Sequence, residues 1–404
     1  MITRRAALTA GLASAVAGRI SSARAADTPG VSATEIKIGN TMPYSGPASS
    51  YSVIGRTEAA YFKMVNDQGG VAGHKINFIS LDDGYSPPKT VEDVRQLVEE
   101  DQVDFCFQTL GTPTNSAIAT YLNQKKVPQL FVGSGASKWS DIKKYPWTMG
   151  WQPNYRTEAQ IYMKYMLANV KDPKLGILYQ NDDFGKDYPT GARDILGKDW
   201  DKIVTKNLSY ETTDATIDSQ IAELQGSGAN VLLVSAIPKF AAQSIRKVYD
   251  LQWKPMFFMT NVAISVGTVI QPAGPEKAVG LISTQYLKDP TDAAWNDDAG
   301  IKTWRAFMAK YNPSGDTTDS ATVFAYGISM TMEQVLKQCK GDFSRANVMR
   351  QAENLHDLDI PVLLPGIKIS TSPTDHRPIK AMQLQRWDGK TWVRFGGLIE
   401  GANV

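Results

Sequence analysis

The sequence predicts an α/β protein built as two doubly wound lobes, and three observations carry that reading. Strand-like and helix-like runs alternate four times in the hundred or so residues that begin at Glu35. The same rhythm restarts at LGILYQND, from Leu175, and continues to Asn261. Between the two series lies KYPWTMGWQPNYRTEAQ, rich in aromatic, proline and polar residues, where a crossover between lobes is expected. Two βα series imply two mainly parallel sheets, each with its own core.

In chain order, Glu35 to Gly39 reads as a strand entering the loop Met42 to Ser52. Ile54, Tyr61, Phe62 and Val65 then recur at helical spacing, and Asp67-Gln68-Gly69-Gly70 stops the helix with residues that tolerate the left-handed conformation. KINFISL follows as a strand, TVEDVRQLVEED as a helix with Val91, Val94, Leu97 and Val98 on one face, VDFCFQTL as a strand, a helix to Asn123, and VPQLFVGSG as a strand. The second series has strands at LGILYQND, IVTKNLSY, VLLVSA and PMFFMTN. Its helices are YPTGARDILGK, TIDSQIAELQGSGA and KFAAQSIRKVYDL. Two helical stretches come next, AWNDDAGIKTWRAFMAKY and ATVFAYGISMTMEQVLKQC. In the closing segment, Asp388-Gly389 between two alternating runs signals a hairpin.

The first 25 residues stand apart. Arg4 and Arg5 precede the small, apolar run Ala6 to Ala17, and Ala23-Arg24-Ala25 supplies an A-x-A site, so the segment reads as an export signal cut near Ala25. Thr3-Arg4-Arg5 leaves the Sec and twin-arginine routes both open, and an amphipathic helix of the fold itself is the competing reading. Removing the segment takes away four arginines and no acids, leaving 39 Lys and Arg against 41 Asp and Glu. A near-neutral exported chain offers no bulk attraction to nucleic acid or an anionic membrane, and a monomer is expected. The two cysteines, Cys106 and Cys339, do not make a disulfide framework, and buried free thiols are preferred to a bridge.

Several quoted motifs, taken in order, carry a family likeness. IKIG, then P-x-SGP at Pro43 to Pro47, NDQGGVAGHKI, DDGYSPPK, YQNDDFGKD and the late PGIKIS and WDGKTW together resemble the periplasmic Leu/Ile/Val-type substrate-binding proteins of ABC transporters. That resemblance implies the type I periplasmic binding fold, with three crossovers and a ligand cleft between the lobes. It places residues 26–150 with 285–357 in lobe one, and 151–284 with 358–404 in lobe two. It also implies a periplasmic location, no cofactor, and an inner-membrane ABC permease as partner.

The resemblance nominates site residues one by one. Leu110, Gly111 and Thr112 match a loop that holds the ligand carboxylate, with the Thr112 hydroxyl as donor; an ordinary helix cap is the plainer reading. Gly135, Ala136 and Ser137 match a stretch offering a backbone group and a hydroxyl. Tyr51 and Phe184 match aromatics that cover the ligand from the two sides, Ile237 falls in another contact loop, and Trp151, Tyr155 and Arg156 sit at the crossover. Arg156 is as readily a solvated surface arginine. Amino-acid-binding members carry an acid after the strand matching PMFFMTN, to meet the ligand's ammonium. Here Asn261 and Val262 stand there, so the cleft is expected to lack that carboxylate and to take a small organic acid, foremost an aromatic carboxylate of benzoate or hydroxycinnamate type. Branched-chain or other amino acids, amides, and a sensing module docking on a receptor are the alternatives.

No catalytic pattern competes with binding. His74, His356 and His376 lack metal-ligand spacing and are expected in turns or at the surface. Asp82-Asp83 and Asp182-Asp183 read as turn and helix-start residues that bond backbone N–H groups. No serine or cysteine stands in a nucleophile motif, and an enzyme is not expected.

Overall fold

The computed structural model describes residues 28–400; the export-signal reading of residues 1–25 lies outside them. The first sheet contains β1 (Glu35–Met42), β2 (Lys75–Asp82), β3 (Phe105–Phe107), β4 (Gln129–Val132) and β5 (Thr148–Gly150), in the order β2-β1-β3-β4-β5, all parallel. Helices α1 (Ser52–Asp67), α2 (Pro87–Arg95) and α3 (Thr112–Lys125) connect its strands. α1 ends where expected, with Gly69 and Gly70 at φ +108° and +78°.

The second sheet runs β12-β11-β10-β9-β8-β6-β7. Its strands β6 (Leu175–Gln180), β7 (Val204–Tyr210), β8 (Val231–Ser235), β9 (Met256–Met259) and β10 (Ile282–Gln285) are parallel. β11 (Ala381–Trp387) and β12 (Trp392–Glu400) add the antiparallel hairpin that Asp388-Gly389 signals, with Gly389 at φ +104°. Helices α4 (Tyr155–Asn169), α5 (Asp183–Leu196), the one-turn α6 (Trp200–Ile203), α7 (Asp218–Gly226), α8 (Pro238–Asp250) and the short α9 (Gln271–Ala273) lie in this half. α10 (Ala299–Tyr311), α11 (Ser320–Gln338) and α12 (Arg345–Ala352) return to the first half, where α1 packs along α11 and α10.

The crossover expected at KYPWTMGWQPNYRTEAQ is more regular than its composition suggests. Thr148 and Gly150 pair with Gln129 and Val132, and Asn154 caps α4 by accepting hydrogen bonds from the amides of Arg156 and Thr157. α4 hides its period because polar Glu158 and Gln160 are buried along with Tyr155, Ala159, Tyr162 and Met163. The chain passes between the halves three times, after β5, after β10 and after α12. The latter two passages run side by side, Leu364 donating to Tyr286 and Lys288 to Val362, each at 2.9 Å.

His376 corrects the expectation of a surface or turn residue. It is buried in the third passage, with Nδ1 2.9 Å from the Thr148 carbonyl and Nε2 3.0 Å from Glu353, and so ties the end of α12 to the first passage. Cys106 and Cys339 are both buried and free, and burial pushes each thiol up to about 12. The acidic pairs behave as turn residues: Asp82 accepts from the amides of Ser45 and Gly84, Asp83 from that of Tyr85, and Asp182 caps α5 through Gly185. Among the described residues, no helix is long and apolar enough to cross a membrane.

Candidate functional site

Parallel sheets place their loops at the carboxyl ends of the strands, beside the points where strand order reverses. In the first sheet that reversal lies between β1 and β3, and in the second between β6 and β8. The loops that follow β3, β4, β6, β8, β9 and β10 converge there on one cleft.

Its first wall comes from Leu110, Gly111 and Thr112 after β3, with Gly133 after β4 and Tyr51, Ile54 and Tyr85 alongside. Gly111 is at φ +102°, and a Cβ there would meet the Tyr85 ring at 2.6 Å, so only glycine lets the loop pass under that ring. Having no side chain, Gly111 leaves the first turn of α3 without a side-chain cap; its own amide donates to the Gly133 carbonyl at 3.1 Å and Pro113 has no N–H to offer, so the anion-favouring character of this helix start rests on the remaining first-turn amides. The Thr112 hydroxyl lies 2.6 Å from that of Ser134. Ser134 Oγ already accepts from the Ala136 amide and from Trp139 Nε1, so it donates its own proton to Thr112. The Thr112 proton is thereby left free to donate.

The facing wall comes from Phe184 after β6, Ile237 after β8, Asn261 and Val262 after β9, and Gln285, Tyr286 and Leu287 at the end of β10. Buried Glu158 on α4 shapes this wall from below. It accepts from the hydroxyls of Tyr162, Tyr188 and Thr284 and from the Asn261 amide at 2.8 Å; burial raises its carboxyl in spite of these donors. The lobe-two turn at Asn261 is therefore pinned by a carboxylate that does not itself line the cleft.

The lobes are closed on each other. Tyr51 donates to the Val262 carbonyl at 2.9 Å, and Gln180 reaches the Tyr85 hydroxyl at 3.4 Å. Beside the cleft, Asp187 on α5 accepts from both the amide and the hydroxyl of Ser137, each at 2.7 Å, and Lys138 pairs with Asp183 at 2.8 Å. Burial pushes the Asp187 carboxyl up to about 6, against the Ser137 donors that favour its ionised form.

Of the residues nominated from sequence, Tyr51, Leu110, Gly111, Thr112, Tyr155, Phe184, Ile237, Asn261 and Val262 stand around one cleft. The others are engaged elsewhere. Gly135 gives its carbonyl to the Tyr155 amide, Ala136 is buried beside Ser134, and Ser137 belongs to the Asp187 clasp. Trp151 is buried behind the cleft, its Nε1 bonded to Thr331 and its ring against Tyr286 and Phe324. Arg156 makes a two-pronged ion pair with Asp194, at 2.6 and 2.7 Å.

The structure also corrects the expectation of a cleft without a carboxylate. Asp319, which caps α11 through the Ala321 amide, lines it, as do Gln108, Gln152, Ser265, Thr268 and Phe324. None of the lining residues is basic. Tyr85 lies within the DDGYSPPK block and is open to nomination from sequence, whereas Asp319 and Phe324 arrive at the start of α11, which the chain forms only after its second passage.

This chain is similar to known binding proteins along most of its length. A Leu/Ile/Val-binding protein homolog 1 of Brucella abortus is 23% identical over 313 residues, covering 75% of this chain and 78% of that protein. A branched-chain amino acid ABC transporter protein of Thermus thermophilus, solved with bound valine, superposes with TM-score 0.81 at 14% identity, covering 92% and 98%. A fatty acid ABC transporter substrate-binding protein of Thermomonospora curvata superposes with TM-score 0.76 at 20% identity, covering 92% and 94%. The family model described as periplasmic binding protein matches residues 35–391, and the chain belongs to that family, as a solute-binding protein and not an enzyme.

Proposed function

We propose that this protein, exported behind a signal cut near Ala25, captures a small organic acid with an apolar, foremost aromatic, body and presents it closed to an ABC permease of the inner membrane. One observation carries the ligand class. Six aromatic rings, of Tyr51, Tyr85, Tyr155, Phe184, Tyr286 and Phe324, surround a cleft whose first wall also holds the α3 start and the Thr112 donor. A helix start with a free hydroxyl suits a carboxylate, and a ring-lined chamber suits a flat apolar body. Asn261 and Val262 add no charge to the facing wall. Both walls touch the ligand only when the lobes are shut, so binding favours closure.

The test is a thermal-shift and calorimetric panel on residues 26–404 with benzoates, cinnamates, short aliphatic acids, branched-chain amino acids and neutral amides. Aromatic acids are expected to stabilise the protein by about 2.7 kcal/mol at a hundredfold excess over Kd. If none of the carboxylates binds, the organic-acid reading is wrong.

A further inference from the structure

Two side chains that line the cleft are buried with polar atoms left unpaired. Asp319 is fully buried, and its Oδ1 accepts from the Ser265 hydroxyl at 2.7 Å and from the Ala321 amide at 2.9 Å, while Oδ2 has no partner among the described residues. Gln108 is likewise fully buried, with neither its Oε1 nor its Nε2 bonded, and its backbone is held at φ +51°. Buried polar groups are nearly always paired, and a non-glycine residue held in the left-handed region at a cleft wall marks a position that the surrounding structure insists on. The Thr268 hydroxyl also faces Asp319 but makes no hydrogen bond of proper geometry to it; Oδ1 alone serves as the helix cap, and Gln108 holds no neighbouring loop through its side-chain amide.

Resting on the organic-acid reading above, we propose that Asp319 is a specificity-determining residue whose free Oδ2 accepts a hydrogen bond from the ligand, so that the preferred ligand is an acid bearing an O–H or N–H donor besides its carboxylate, with Gln108 as a second polar contact. The cleft's charge favours this arrangement. With no basic lining residue, an acid lacking such a donor would set its carboxylate in a chamber holding an unanswered Asp319. The groups facing Asp319 are the hydroxyls of Ser265 and Thr268, the Ala321 amide and the Tyr51 ring, with Asp316 as the nearby like charge. Burial, ahead of these, pushes the Asp319 carboxyl up to about 6. It is therefore ionised and a strong acceptor above about pH 6, and neutral and a weak one below. A phenol or hydroxyl and an ammonium supply the same donor chemistry from different ligands.

The test uses matched ligands that differ by one donor: benzoate against 4-hydroxybenzoate, cinnamate against 4-hydroxycinnamate, and 3-phenylpropionate against phenylalanine. Affinities are measured by calorimetry on the mature chain and on Asp319→Asn, which keeps an acceptor for the helix cap. In the unaltered protein the donor-bearing member of at least one pair is expected to bind about tenfold tighter, the scale of one hydrogen bond to a charged group. In Asp319→Asn that preference is expected to fall to about threefold or less, because the donor-bearing member loses a charged acceptor while the donor-free member no longer faces an unanswered carboxylate. Should the variant misfold, the unaltered protein still decides, because its preference should shrink about threefold or more between pH 7.5 and pH 5. The first two pairs respond if the donor is a hydroxyl, the third if it is an ammonium. Equal binding of all partners within pairs, or a preference untouched by both the variant and pH, overturns the role of Asp319 and leaves the organic-acid reading standing. Absence of binding by every carboxylate overturns both.

Discussion

At the scale of single residues, Thr112 shows how a hydroxyl becomes a committed donor. Two N–H groups occupy the Ser134 oxygen, so the proton between the two hydroxyls belongs to Ser134, and that of Thr112 is free. Thr112→Val keeps the shape and removes the donor. Affinity for the best acid of the panel is expected to fall by about 1.5 kcal/mol, and Thr112→Ser to restore most of it. A change below about 0.5 kcal/mol on calorimetry would remove Thr112 from the site. Thr112 is reachable from the sequence through the resemblance, which matches its loop to one that holds a ligand carboxylate, and it does line the cleft. Asp319 is not reachable in that way. It precedes a long apolar run, where an aspartate reads as a cap, and cap it is, with one oxygen. Only the fold reveals that Asp319 also lines the cleft beside Tyr51, more than 200 residues away in sequence. Ser137 misleads for a similar reason: its loop is visible, but the Asp187 carboxylate that claims it comes from the other half of the chain.

At the scale of elements, α5 carries the contacts that hold the lobes together beside the cleft. Its first turn is capped by Asp182, and its sequence divides the work by helical spacing. Asp183 and Asp187, four residues apart, reach Lys138 and Ser137 of lobe one, while Phe184 and Tyr188, also four apart, turn toward Tyr155 and Glu158. Removing the clasp should therefore weaken ligand binding without touching the ligand. Asp187→Ala leaves two Ser137 donors unpaired on closure, and an affinity loss of about 1 kcal/mol is expected, whereas Asp187→Asn, whose amide oxygen can still accept, should stay close to the parent. Equal Kd for the alanine variant and the parent would mean that the clasp plays no part in closure. Most strands and helices are legible, because short apolar runs such as VLLVSA alternate with helix-spaced faces such as Ile54, Tyr61, Phe62 and Val65. Exceptions have causes in packing. β10 is four residues with three buried polar side chains, Ser283, Thr284 and Gln285, and α4 buries Glu158. Buried polar residues blur the contrast on which periodicity depends.

At the scale of the whole molecule, the carboxyl groups divide into two populations with opposite consequences for acid stability. Asp83, Asp187 and Asp319 are each pushed by burial to about 6, from an ordinary 3.8. Between those two values the folded chain holds protons that the unfolded chain has released, so this population adds stability as pH falls through 6 and has given all of it below 3.8. Asp194, held down by the Arg156 guanidinium, and Asp388, held down by the amides of Thr391 and Lys390, do the reverse: their contribution is present above 3.8 and is lost as pH falls through their lowered values. The closed protein is thus expected to be more heat-stable at pH 5 than at pH 7.5, with the first population's gain complete by about pH 3.8 and the second population's loss setting in below it. Two of the three raised groups sit where the lobes meet, Asp187 in the clasp and Asp319 in the cleft, so part of the acid stabilisation is a property of the closed form. Replacing both Asp187 and Asp319 by asparagine should flatten the rise in Tm from pH 7.5 to pH 5 measured by calorimetry, because neither asparagine has a proton to take up. A rise of the same size in that double variant would place the titrating groups elsewhere, and the lobe interface would then be no more acid-sensitive than the rest of the fold.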